Sequence, residues 1–426
     1  MLRYITTFLI LTLGLQTWAQ SPVPARMQSK PICITGATAH LGNGQVIDNA
    51  LIAFENGALT RVETFQPGTD LRRYEVIDAK GKHVYPGLIA ANTNLGLVEI
   101  GAVRATNDIA ETGSLNPSAR AIIAYNTDSE VTPTVRSQGV LMAQIVPEGG
   151  LVSGSSSVVQ LDAWNWEDAA VATDIGIHLN WPARLSFNFF SGESTRNERY
   201  DQQIREIEQL MEEAAAYARQ SQAPAVKNLK LEAMRGLFSK EKKLFVNVNN
   251  ARDITQAILL GKKYGLAIVI VGGRDSWMLT DLLKENNVPV ILGRTHSLPS
   301  RDDDDVDQPF KTPAQLHQAG VLFCISDDGF WQQRNLAFQA GHAVGYGLPY
   351  EAALSAVTLN AAKILGVDKR AGSLETGKDA TLFICDGDVL DMRTSKVSRA
   401  FIQGRDIDLD NKQKVLYRKF KEKYNR

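Results

Sequence analysis

Two asparagines one residue apart, Asn92 and Asn94, close an apolar strand in the stretch VYPGLIAANTNLG. Residues at i and i+2 share one face of a strand, so the two amides are expected side by side at its end. Imidazoles at that spacing would make a pincer for zinc or iron, whereas amides hydrogen-bond and hold such a metal only weakly. Other apolar strands also end on residues of interest: Asn247 in LFVNV with Asn249 just beyond, Gly272 after LAIVIV, and Asp327 in VLFCISDDG. Asp327 is a carboxylate able to bind a cation or carry a proton. His296, in GRTHSLP, is its candidate acid/base partner, a loop histidine with a structural hydrogen bond being the plainer alternative. Arg274 and Arg294 follow strands too, as candidates to hold a substrate carboxylate or simply to form ion pairs. Glu99, Arg104 and Asp108 are candidate pocket residues in the loop after the first of these strands.

The elements that must position these residues fall into two patterns. From about Pro31 to Val84 short strands alternate with turns, and Asn56-Gly57 is a hairpin signal. From Leu244 onward LFVNV, LAIVIV, VPVIL and VLFCIS are each followed by a helical stretch, the mark of parallel βα units. The expected fold is α/β: a TIM-like (β/α)8 barrel over 87–370 with a small composite β-sandwich built from 20–86 and 371–410. A polar helix with Ile204, Ile207, Met211 and Ala215 on one stripe is expected within Asn197–Gln220. The tail, 411–426, reads as a basic amphipathic helix with Leu416, Phe420 and Tyr424 along one face. It either docks on its own domain or meets a partner or lipid surface.

Residues 1–19 read as a cleavable signal peptide: Arg3, an apolar run from Ile5 to Leu15, and small residues before a cut after Ala19. That run is short of the roughly 20 residues that span a bilayer, so a periplasmic or secreted location is expected, with no membrane partner after cleavage. At 44% hydrophobic and 22% charged the chain is an ordinary globular protein, and a net charge of −1 points away from nucleic acid. Cys33, Cys324 and Cys385 lie in apolar runs as small buried hydrophobes; a Cys33–Cys385 disulfide stays open. The acidic run Asp302 to Asp305 reads as a solvated loop, with weak calcium binding as the sharper alternative.

GKHVYPGLIAANTNLGL near the start and LNAAKILGVDKRAGSLETGKDATLFICDGD near the end resemble the two terminal signatures of the amidohydrolase superfamily. Within it the chain is similar to a secreted branch related to imidazolonepropionases, which GGLVSGSSSVVQLDAWNWEDA also resembles. The resemblance implies the same barrel and composite β-domain. It also implies hydrolysis of non-peptide C–N bonds, of cyclic amide or imidazolone type, by water activated on Zn or Fe. Against the family's PGLID-x-H-x-H, this chain has Ala90, Asn92 and Asn94. Asn247 aligns best with the next histidine, Gly272 stands where binuclear members have another, and Asp327 alone matches the metal-binding, proton-shuttling aspartate. No metal cofactor is therefore expected, and Asn92, Asn94, Asn247 and Gly272 are expected to line a polar pocket. The resulting expectation is a catalytically impaired protein that binds a small molecule or partners an intact paralogue. The alternative is an active enzyme with a reorganised, metal-free site using Asp327 and His296.

Overall fold

The computed structural model describes residues 23–187, 194–220, 226–299, 301 and 303–424. The expected signal peptide and Asp302 lie outside the described residues. Among the described residues eighteen strands follow one another, beginning with β1 (Ile32–His40), β2 (Val46–Glu55), β3 (Ala58–Thr64), β4 (Glu75–Asp78) and β5 (His83–Pro86). Next come β6 (Leu88–Thr93), β7 (Val140–Ile145), β8 (Val152–Gln160), β9 (Ala170–Asn180), a small hairpin of β10 (Leu185–Phe187) and β11 (Ser194–Arg196), and β12 (Lys243–Val248). The series ends with β13 (Ile268–Gly272), β14 (Val290–Leu292), β15 (Phe323–Ile325), β16 (Leu382–Cys385), β17 (Val397–Ile402) and β18 (Arg405–Asp406).

Strands from both chain ends join one sheet in the order β18-β17-β16-β5-β1-β2-β3, with β4 paired to β1. Asn56 and Gly57 turn β2 into β3 with φ of 52° and 81°. Positive φ at both central residues matches the right-handed twist of the flanking strands, and Asn and Gly adopt it most readily. The junction between the chain ends is β5 against β16, antiparallel, with Tyr85 opposite Phe383. Cys33, Cys324 and Cys385 are buried free thiols, so the disulfide left open by the sequence does not form here.

The second eight-stranded sheet, β15-β14-β13-β12-β9-β8-β7-β6, curls into a nearly closed barrel. It departs from the expected regular (β/α)8 pattern in one place: β8 is antiparallel to both β7 and β9. The reason is connection length. Only residues 146–151 and 161–169 join these strands, whereas a parallel return needs a crossover of about a dozen residues or more. From β9 through β15 the neighbours are all parallel, as expected. Where the two edge strands meet, Ser326 donates its hydroxyl to Ala91 O at 2.6 Å, and Thr93 donates to Gly329 O at 2.6 Å.

An apolar cluster of the barrel packs Ile89, Ala91, Met142, Val158, Phe245, Val269, Val271, Ile291 and Cys324 together. The helix Tyr200–Ala218 buries Ile207, Leu210, Met211, Ala214 and Ala215, so the expected stripe holds with Ile204 half-buried. A buried ionic knot ties the two sheets. Asp162, after β8, accepts from Arg136 Nη1 at 2.6 Å and from Arg405 Nη1 of β18 at 2.8 Å. All three residues are less than a tenth exposed. Among the described residues, no helix is long and apolar enough to cross a membrane.

Candidate active site

The parallel strands aim their C-terminal ends at one mouth, the end of a barrel where loops are free to carry chemistry. A cavity of about 310 Å³ opens there, lined by Asn92, Asn247, Asn249, Gly272, Arg274 and Arg294 with Thr295, Thr312 and Asp328. Three of the four predicted pocket positions, Asn92, Asn247 and Gly272, are thus together.

Asn92 and Asn94 do not share a strand face. Asn92 has φ of 51° and the pairing of β6 with β7 slips between Ala90 and Thr93. Asparagine tolerates this left-handed backbone better than most residues, and one such residue breaks the strict alternation of a strand. The Asn92 side chain therefore reaches the cavity and makes no hydrogen bond to the described residues, while its backbone N–H donates to Gln144 Oε1 at 3.0 Å. Asn94 is buried and donates Nδ2 to Glu148 Oε1 at 2.9 Å, leaving its own Oδ1 without a partner.

Asn247 donates Nδ2 to Asn180 Oδ1 at 2.8 Å, which leaves its own carbonyl oxygen as the acceptor available to a ligand. Asn249 accepts from Arg274 N at 3.4 Å and keeps its NH₂ free. Gly272, with φ of 88°, has no room for a side chain: a Cβ there would stand 2.6 Å from Asn249 Oδ1. Arg274 spends only Nε, on Asp275 Oδ1 at 3.4 Å. Arg301 grips the same carboxylate through both terminal nitrogens, at 2.9 and 3.2 Å, and also holds Asp304, which anchors the acidic run at that residue.

Asp327 sits behind this cavity rather than in its lining. It is 1% exposed, and Oδ2 accepts from Gln339 Nε2 at 3.1 Å while Oδ1 has no hydrogen-bond partner. Burial pushes its carboxyl up to about 6, with Arg294 and the Gln339 bond pulling the other way. Its neighbour Asp328 is exposed and lines the cavity.

His296 is exposed, and its ring lies 4.7 Å from that of His342 and 5.9 Å from that of Phe310. Its backbone N–H donates to Gln339 Oε1 at 3.0 Å. The same amide thus touches both His296 and Asp327, but the imidazole makes no hydrogen bond or ion pair with Asp327. His178 is fully buried, stacked on Phe245 at 4.8 Å and bonded to Ser156 Oγ at 2.9 Å. Burial lowers it to about 3, which keeps it neutral inside the barrel.

Two carboxylates at the mouth were missed in the sequence. Glu148 follows β7, and burial, with Asp328 adding to it, raises its pKa although Asn94 opposes the shift. Asp328 is the second acid of SDD, and Gly293 faces its Oδ2. The signal available was position alone: each acid stands a few residues past the end of a barrel strand. Glu99 instead accepts from Asn126 and from Glu130 N, and it does not line the cavity, nor do Arg104 and Asp108. Among the described residues, no group of three or more His, Cys, Asp or Glu is placed to hold a metal ion.

Comparison with known proteins agrees with the barrel. An amidohydrolase from Thermotoga maritima MSB8 superposes with a TM-score of 0.74 at 23% identity, covering 88% of this chain and 99% of that one. A putative prolidase from Bifidobacterium longum gives 0.56 at 16% identity, covering 93% and 99%. An adenosine deaminase from Xanthomonas campestris with bound zinc gives 0.53 at 15%, covering 94% and 99%. At these identities the likeness is one of fold. The amidohydrolase tasK of Hapsidospora irregularis is 19% identical over 412 residues, spanning 89% of this chain, which covers 41% of that protein's length. The profile of the amidohydrolase family matches residues 195–412, about half of the sequence, and the chain belongs to that family.

Proposed function

We propose that this protein uses the amidohydrolase barrel to bind a small, anionic, amide-bearing molecule without a catalytic transition metal. The observation that supports this reading most is the convergence of three carboxamides and two guanidinium groups on one cavity. Asn92 offers a donor and an acceptor, Asn247 an acceptor and Asn249 a donor, which together complement the N–H and C=O of an amide. Arg274 and Arg294 supply forked donors for a carboxylate. Zinc or iron does not fit this donor set: amide oxygens are weak ligands for it, and two guanidinium charges oppose a dication in the same space. The protein is then a binding protein, or a subunit beside an intact paralogue, exported behind a signal peptide cleaved after Ala19.

A second reading keeps hydrolysis through a metal-free acid/base site. What favours it is Asp327, whose burial places its titration near neutral pH. It requires the His296 ring to leave His342 and turn toward the cavity.

Metal analysis and thermal shift test the binding reading, and turnover of site variants separates it from the second. The binding reading expects less than about a tenth of an equivalent of Zn, Fe, Mn or Ni after dialysis, against the nanomolar or tighter retention typical of full ligand sets. It also expects a raised Tm with carboxylate-bearing amides, since a ligand that binds the folded state stabilises it. Stoichiometric metal would overturn it; turnover abolished by both Asp327→Asn and His296→Gln would establish the second reading.

A further inference from the structure

The closing helix, Lys412–Tyr424, carries no buried residue. Only its start is tied down. Asn411 caps it by accepting from Lys414 N at 2.9 Å, and the Asn411 amide reaches Ser137 Oγ at 2.9 Å. Gln413 accepts from Thr134 Oγ1 at 2.8 Å, and Arg418 pairs with Asp410. Docking along its own domain, one of the two sequence expectations, is therefore confined to the first turn.

The rest presents a two-sided surface. At about 100° per residue, Leu416, Tyr417, Phe420 and Tyr424 fall within about 100° of arc. Their exposures run from 42% for Leu416 to 66% for Tyr417. Lys412, Lys419 and Lys423 flank this arc on one side and Lys421 on the other, while Lys414 is half-buried and donates to Leu409 O at 2.8 Å. The helix's one acid, Glu422, is on the opposite pole, with Val415 near it. Six cations against one acid leave a surplus of five on a chain whose total is −1, so everything outside the helix sums to −6.

We propose that this helix lies on an anionic lipid surface, with its aromatic arc in the headgroup boundary and the flanking lysines on lipid phosphates. Apolar residues on one face with lysines at both shoulders form the pattern of an interfacial helix, and long lysine stems let the ammonium groups rise to the headgroups. Charge complementarity selects lipid over a second copy meeting it helix to helix, because a copy would bring a like-charged helix to the same face. This revises the sequence expectation that the mature chain has no membrane partner. Surface attachment differs from spanning, and it is independent of what the barrel binds.

The test is co-sedimentation of the full chain with vesicles of equal parts phosphatidylglycerol and phosphatidylcholine, and with phosphatidylcholine alone. Binding is expected to the anionic vesicles, at least about tenfold weaker to the neutral ones, and weaker with added salt. The triple variant Lys419→Glu, Lys421→Glu, Lys423→Glu should lose about a hundredfold in affinity. Leu416→Ser with Phe420→Ser should also lose binding. All five side chains are exposed, so an unchanged Tm confirms that these variants fold. Equal binding to both vesicle types, none to either, or full retention by the triple variant overturns the proposal. So does a dimer that Leu416→Ser with Phe420→Ser converts to monomer, which would mean that a second copy covers the face.

Discussion

Arg294 holds Nε 3.9 Å from Asp327 Oδ1, so the buried acid has a positive charge beside it but no hydrogen bond from it. The arrangement leaves Asp327 titrating well above its usual range. Because the folded state binds this proton more tightly than the unfolded chain does, stability falls as pH rises from about 4 to about 6 and is level beyond. Asp327→Asn should remove that slope. Relative to wild type it should gain up to about 3 kcal/mol between pH 4 and pH 7, measured by denaturant unfolding. Parallel curves for the two proteins would show that Asp327 ionises at its ordinary pKa.

Arg294→Gln removes the charge that lowers Asp327. The wild-type pH slope should then extend to higher pH. In the same variant a carboxylate-bearing amide should bind about 10- to 100-fold more weakly, while its neutral methyl amide should be little affected. Equal losses for the two ligands would argue that Arg294 shapes the cavity and does not read charge.

Gly272→Ala places a Cβ on a left-handed backbone and against Asn249 Oδ1. The expected cost is about 1–3 kcal/mol, with ligand affinity falling as Asn249 is displaced. A wild-type Tm for this variant would mean that Asn249 turns aside freely and has no fixed place in the cavity.

Restoring histidine at 92, 94 and 247 is expected not to restore a metal site. The kink at Asn92 separates it from Asn94, whose side chain turns to Glu148. Less than about a tenth of an equivalent of zinc should remain after dialysis, far below what a three-imidazole site retains. Tight stoichiometric zinc in the triple variant would show that the strand end straightens when a metal is present.

Asp162→Ala strips both Arg136 and Arg405 of their shared carboxylate in a dry setting. Leaving buried charge unpaired costs about 3–5 kcal/mol, so chemical denaturation should shift to clearly lower denaturant. A loss under about 1 kcal/mol would mean that water reaches the two guanidinium groups.

How much of this was legible in the sequence depended on whether a residue's neighbours are close in the chain. LFVNV, LAIVIV, VPVIL and VLFCIS read as barrel strands because each is apolar and leads into its own helix, and Asn247, Gly272 and the SDD acids follow at their ends. The strand β8 was hidden by composition: VSGSSSVVQ is fully buried, yet its serines read as a loop. Their partners are distant in sequence: Ser156 serves Gln144 and His178, while Ser155 and Ser157 bond Asp174. The split of Asn92 from Asn94 had a local trace, since asparagine favours left-handed backbone, but alternation argued the other way. The displacement of Asp327 behind the cavity is a matter of how the helix Leu336–Gly345 brings Gln339 against it, which no spacing encodes.

The pairing of β5 with β16 gives folding a direction in time. Tyr85 cannot meet Phe383 until nearly the whole chain has emerged, so during synthesis the first sheet is left with an open edge at β5. Pairings this distant close late, since the intervening loop must first be ordered. A chain cut short before Leu382 therefore keeps an adhesive margin that the complete chain covers, and the last strands to appear decide whether the first ones stay soluble.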